Sequence, residues 1–162
     1  MSEKAVASRP YMPGYGIPEG PEGMLDWGWA AEQLENSHNY WLSTARPDGR
    51  PHAMAIWGVW LDGRFYFSTG VQSVKAQNLL QNPACVITTE NAGDAVILEG
   101  TAEPVTDHEQ LAPFFVAYMK KYDHDMSAQV DPMWIVHPRK TFAFVETDAS
   151  LATATRWRFE ET

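Results

Sequence analysis

The stretch HNYWLSTARPDGRPHAMAIWGVWLDGRFYFSTG, residues 38–70, constrains the fold more than any other part of the chain. It holds three apolar, β-rich segments separated by Asp48-Gly49 and Asp62-Gly63. These dipeptides tolerate the left-handed backbone of a tight hairpin turn, so the spacing predicts a β-meander. In the middle segment His52, Met54, Ile56, Gly58 and Trp60 alternate with Ala53, Ala55, Trp57, Val59 and Leu61. Both sets are largely apolar, which predicts a strand covered on both faces, as in a closed barrel.

The rest of the chain adds strands and a few helices. Residues 24–36 read as a short helix. A second helix follows Ser73 as N-cap and stops at Asn82-Pro83. Residues 84–90 and 95–105 read as another hairpin. A Thr106/Glu109 capping box then opens a third helix, with Leu111, Phe114, Phe115, Tyr118, Met119 and Tyr122 on one stripe. Pro113 is expected to kink that helix or to mark its true start. Residues 123–140 read as irregular, and 141–147 and 155–160 as the last two strands. Residues 1–23, rich in Pro and Gly, are expected to form neither a helix nor a regular strand. They read as an N-terminal arm, a mobile tail in preference to a segment wrapping a partner subunit, ahead of a single domain over 24–162. The sum, roughly seven strands and three helices, is an α+β, mainly β, barrel-like domain with helical insertions.

Composition narrows the function. Twelve basic residues against 21 acidic ones give a net charge of −9, which argues against nucleic acid or an anionic membrane as the main partner. No apolar run reaches the roughly 18 residues of a membrane span, and the N-terminus lacks the apolar core of a secretory signal. The lone Cys85 excludes an intramolecular disulfide framework and reads as a packed thiol in a cytoplasmic protein. The patterns G-x-S-x-G, G-x-G-x-x-G, G-x-x-x-x-G-K and H-E-x-x-H are absent, and the five histidines are scattered. Hydrolase, nucleotide-binding and metal readings therefore find no motif.

One segment remains. In FYFSTGVQSVKAQNLLQN, residues 65–82, a strand runs through a turn into a helix whose first turn carries Lys75, where the helix dipole disfavours a cation. Ser68, Thr69, Ser73, the free N–H groups and Lys75 are the parts of a phosphate or carboxylate cradle. A solvated lysine on a surface helix accounts for the same residues. His52, at the start of the middle strand, has the chemistry to donate to a ring carbonyl, or to be a satisfied strand histidine. Trp57 and Trp60 read as core or interface before ligand platform. Arg156 and Arg158 flank Trp157 on one strand face, suited to ion pairs with the acidic tail or to a phosphate contact.

The segments ARPDGRP, SVKAQNL, EGTA and the later TRWRF together resemble the pyridoxamine 5'-phosphate oxidase-like split β-barrel superfamily. Within it, the chain is similar to the actinobacterial B-type flavin/deazaflavin oxidoreductases. The resemblance covers residues 37–108 well and 140–160 loosely. It implies a split β-barrel homodimer with two cofactor sites at the subunit interface. It also implies an oxidoreductase using the deazaflavin coenzyme F-420 or, alternatively, FMN, on a small organic substrate. Some members instead bind haem or are non-catalytic. Carried across, the phosphate-binding lysine falls on Lys75, with Ser68, Thr69, Ser73 and Asn78 around it. His52, Met54, Ile56 and Trp57 fall on the strand that lines the tricyclic ring, and Arg156 and Trp157 on a segment that reaches towards the cofactor. Ser73 stands where relatives often carry a second cation, and Arg156 or Arg158 is a candidate replacement. Ala55 and Ile56 stand where many relatives have a proline. No catalytic residue is selected, with His52 and Tyr118 equally placed as proton donors, and no metal is implied.

Overall fold

A computed structural model describes residues 5–147 and 150–160. Among them are nine strands, three α-helices and one 3-10 turn. The 38–70 stretch forms two antiparallel hairpins at its two Asp-Gly turns in place of a continuous meander. Strand β2 (Tyr40–Ala45) pairs antiparallel with β3 (Pro51–Ile56), and β4 (Val59–Leu61) pairs with β5 (Arg64–Ser68). Asp62 and Gly63 both have positive φ, 50° and 78°, as a two-residue hairpin turn demands.

The middle segment is one strand broken in two. β3 hydrogen-bonds to β2, and across Trp57-Gly58 the chain turns so that β4 bonds to β5 instead. Gly58 makes the break possible, since a Cβ there would collide with the Phe65 ring and lie 2.9 Å from the Tyr66 carbonyl oxygen. The barrel closes through this break. β5 pairs with β8 (Met133–Val145), β8 with β7 (Asp94–Val105), β7 with β6 (Ala84–Thr89), and β6 with β2. β8 pairs with β7 along its length and divides its other edge between two more strands. Its residues 133–136 bond to β5, and residues 140–143 bond to β9 (Thr155–Phe159). The result is a mainly antiparallel split barrel with helical insertions.

Inside the barrel Tyr40, Leu42, Phe65, Phe67, Ile87, Leu98, Trp134 and Trp157 are fully buried, each contributing about 2–3 kcal/mol of apolar transfer. Helix α1 (Trp27–Asn36) adds Ala30 and Leu34 to that core. Helix α2 (Val74–Gln81) packs on β2, and α3 (His108–Tyr122) packs on β4 around Leu111, Phe114, Tyr118 and Tyr122.

Several expectations need correction. Ala5–Ser8 is a strand, β1, because its backbone satisfies the free edge of β9. Residues 133–140 continue β8 instead of forming a loop, and Pro138 sits beside the register shift at Glu99/Gly100, where a missing N–H is tolerated. Asp107, not Thr106, caps α3, its carboxylate accepting from the Glu109 N–H at 3.0 Å. Pro113 lies inside α3 and does not start it, and Met119 on the apolar stripe is exposed. Finally, β3 is not covered on both faces. Pro51, Ala53, Met54 and Ala55 are exposed, because β3 is an edge strand bonded only to β2.

Candidate functional site

The strand–turn–helix from Phe67 to Asn78 is built as its residues suggest. β5 ends at Ser68, and Ser73 adopts the extended backbone of an N-cap (φ −66°, ψ 150°). Its Oγ accepts from the Ala76 N–H at 3.2 Å and lies 3.0 Å from the Thr69 hydroxyl. The Gln77 side chain donates to the Val71 carbonyl at 2.7 Å, stitching the turn to the helix. Asn78 is 4% exposed and donates to the Thr44 hydroxyl at 3.0 Å, which ties α2 to β2.

Lys75 is treated differently. It is half-buried in the first turn and makes no hydrogen bond or ion pair among the described residues. The dipole costs it roughly 0.3–1 kcal/mol there, and nothing among the described residues offsets that. The neighbouring Val74 and Lys75 N–H groups likewise have no backbone acceptor. The half-buried Ser68 hydroxyl has no partner among the described residues either.

His52 belongs to the same face. It stands opposite Thr44 in the β2–β3 register, and directly opposed side chains in a ladder point to the same side. Thr44 is the residue Asn78 bonds, so His52 and Thr44 lie side by side on the face where Asn78 of α2 docks. The His52 Nδ1 is buried and has no hydrogen-bond partner. Met54 and Ile56 follow on the His52 face, Met54 exposed and Ile56 buried.

Other expected residues lie elsewhere. Trp57 is five residues from His52, where β3 breaks. It stacks on Tyr122 at 4.5 Å and 7°, and its indole N–H donates to Asn39 Oδ1 at 3.2 Å. Trp157 is 1% exposed and packs edge-on against Trp27 at 5.4 Å, so it is a core residue with no surface for a ligand. Arg156 donates to the Ser8 hydroxyl at 3.1 and 3.0 Å. Ser68 pairs with Met133 at one end of β8, and Arg156 with Phe142 nine residues along it. An extended strand of that length measures about 30 Å. Within one chain, then, Arg156 cannot replace the cation missing at Ser73, and Arg158 is also placed on β9. Ser73 itself is committed to capping.

A second cluster escaped the sequence reading. Lys121 Nζ donates to the Tyr40 hydroxyl at 2.6 Å, the Gly58 carbonyl at 3.1 Å and the Glu35 carbonyl at 3.2 Å. The Tyr122 hydroxyl accepts from the Gly58 N–H at 3.0 Å and can donate to the His38 carbonyl at 2.8 Å. Burial lowers Lys121 to about 8 and raises Tyr122 to about 12. The only sequence signal was that Lys121 falls three residues after Tyr118, on the margin of the apolar stripe. Lys121 also lines a groove of about 650 Å³ between α1, β4 and α3. An open depression of about 520 Å³ lies across β2, β6 and β7, lined by Ser43, Val86, Glu99 and Arg139 among others. Neither takes in Lys75 or His52. Cys85, buried in β6 and pushed up to about 12 by that burial, is no nucleophile.

The fold is a split barrel with the N-terminus of α2 following directly on the β4–β5 hairpin. The chain belongs to the pyridoxamine 5'-phosphate oxidase family, whose sequence model matches residues 29–142. Among solved structures it is similar to an F420 reductase, with 24% identity over 68% of this chain and 93% of that one and a TM-score of 0.56. A FAD-binding protein from Mesorhizobium loti matches with 16% identity over 82% of this chain and 95% of that one, at a TM-score of 0.59. The heme storage protein HutZ from Vibrio cholerae matches with 18% identity over 69% and 89%, at 0.59. No curated protein matches the chain in sequence. Among the described residues no helix is long and apolar enough to cross a membrane, and no group of His, Cys, Asp and Glu is placed to hold a metal.

Proposed function

We propose that this chain is a cytoplasmic, homodimeric oxidoreductase that uses the deazaflavin coenzyme F-420, or FMN, to transfer a hydride to or from a small organic substrate. Lys75 carries the reading. A cation left unpaired among the described residues at an unfavourable helix end, with two free N–H groups in the same turn and the Ser68 hydroxyl at the end of the preceding strand, is a donor set suited to a cofactor phosphate. The buried, unpartnered His52 Nδ1 is a second unsatisfied polar atom, on the face that carries Met54 and Ile56. That row suits the edge of a planar ring better than a lone anion. The flavin-type cofactor, when bound, supplies the hydride chemistry itself. The protein's part is then to grip the phosphate through Lys75, orient the ring against β3 and exclude water. The solved F420 reductase and FAD-binding protein of the same fold support the class of cofactor.

The surface of β2 and β3 supports the homodimer. Trp41 is 49% exposed on β2, and Ala53 and Ala55 are exposed on the same face of β3. An apolar edge of this kind is suited to burial against a second copy. A second copy is also the one source from which Arg156 or Arg158 could reach Lys75. The test is a titration of the purified chain with F-420 and with FMN, followed by fluorescence quenching, together with an absorbance spectrum. Saturable quenching by one of them is expected. Binding of neither contradicts the proposal, and a Soret band points instead to a barrel that sequesters haem or another planar ligand.

A further inference from the structure

The groove between α1, β4 and α3 shares no lining residue with the α2 cradle. Val59, Leu61, Pro113, Val116 and Ala117 give it apolar walls, Glu35, Asn36 and Lys120 supply polar lining, and its volume of about 650 Å³ suits a small organic molecule. One member of the lining is chemically unusual. Lys121 reaches inward, and its Nζ is surrounded by three neutral oxygens, the Tyr40 hydroxyl and the Gly58 and Glu35 carbonyls. No carboxylate among the described residues comes within ion-pair distance of it. Lys140 shows the ordinary arrangement, pairing with Glu99 at 2.8 Å.

The groups that face Lys121 are few. Tyr40 comes from β2 and Tyr122 from α3, both neutral, with their hydroxyls pushed up by burial. Glu35 on α1 and Glu90 after β6 favour the charged amine only from longer range, and burial outweighs them. The amine titrates at about 8, so near neutral pH an appreciable fraction carries a free lone pair, which an ordinary lysine does not. A desolvated amine on the wall of an apolar groove is the arrangement that makes lysine a nucleophile towards carbonyl compounds.

We propose that this groove binds an apolar aldehyde and that Lys121 captures it as an imine. The Nζ lone pair adds to the carbonyl carbon to give a carbinolamine. The carbonyl oxygen then leaves as water, taking up the two hydrogens that the neutral amine carried, and a C=N bond remains. Carbon and nitrogen keep their oxidation levels, so the capture needs no oxidant or reductant, and water reverses it. The apolar walls select the body of the ligand. Lys120, exposed on the rim, has the same functional group without the desolvation and serves as an internal control.

The test traps the imine on the full-length chain. Benzaldehyde is added with sodium cyanoborohydride near neutral pH, and benzylated lysines are assigned from fragment ions of chymotryptic peptides. Lys121 is expected to label at least tenfold faster than Lys75, Lys120 and Lys140. Ala117→Trp fills the groove and should slow Lys121 at least tenfold while leaving Lys75 unchanged. Should that variant fail to fold, Val116→Trp, at an exposed wall position, makes the same comparison. Equal labelling of Lys120 and Lys121, or fast labelling of Lys121 in the filled groove, would overturn the proposal. Failure here leaves the F-420 and FMN titration untouched, and failure of that titration leaves this labelling pattern untouched.

Discussion

Lys75 and Lys121 stand at opposite ends of two helices, and the fold treats them in opposite ways. Lys121 is in the last turn of α3, where the dipole favours a cation, and it is held by oxygens from α1, β2 and the β3–β4 break. Lys75 is in the first turn of α2, where the dipole disfavours it, and it is held by nothing among the described residues. A lysine bonded to several elements tells how the barrel is assembled. A half-buried lysine unpaired among the described residues leaves a charge open to the phosphate proposed for it. The two regions should therefore answer mutation differently, the α3 side mainly through stability and the α2 side mainly through binding.

The largest effect is expected at the break that α3 clamps. Gly58→Ala forces a methyl group into the buried Phe65 ring, at a cost of about 3 kcal/mol, measurable by urea unfolding. A loss below about 1 kcal/mol would mean that β3 and β4 are free to shift, and that Trp57 is not fixed in place. Tyr122→Phe keeps the stack on Trp57 but strands the buried Gly58 N–H, for about 2 kcal/mol in the same assay.

Lys121 sharpens the contrast through pH. Its amine titrates at about 8 in the folded chain against an ordinary 10.5, so between these values the unfolded chain binds more protons. Stability from this group therefore rises with pH across that window. Wild type should gain on Lys121→Met between about pH 7.5 and 10, by the difference in unfolding midpoints. A constant difference would show that the amine is not desolvated. Ser73→Ala removes the cap of α2, for about 1 kcal/mol, and should loosen the turn that presents Lys75.

What the sequence disclosed depends on the range of the interactions. Asp62-Gly63 and the Ser73 cap are local, and both formed as expected, because a turn type or a cap is decided within about four residues. Ala5–Ser8 was illegible because its strand exists only where β9 offers an edge some 150 residues away. His137-Pro138-Arg139-Lys140 looked like a loop because Pro138 is tolerated only beside a register shift that no local pattern reveals. The same limit applies to the site. Lys75 was legible from its misplacement in the helix dipole. The distance of Arg156 from it depends on the β8 register, and the desolvation of Lys121 on three elements meeting around one amine.

The smallest effect on stability is expected at Lys75, on which the proposed function rests. Lys75→Ala removes an unpaired cation from an unfavourable position, so unfolding should change by no more than about 0.5 kcal/mol. The affinity for whichever of F-420 and FMN binds wild type should fall by an order of magnitude or more, as the loss of a charge-assisted phosphate contact requires. Measured side by side on one preparation, unchanged stability with lost affinity is the predicted result. Lost stability with unchanged affinity would contradict the assignment of Lys75 as the phosphate grip.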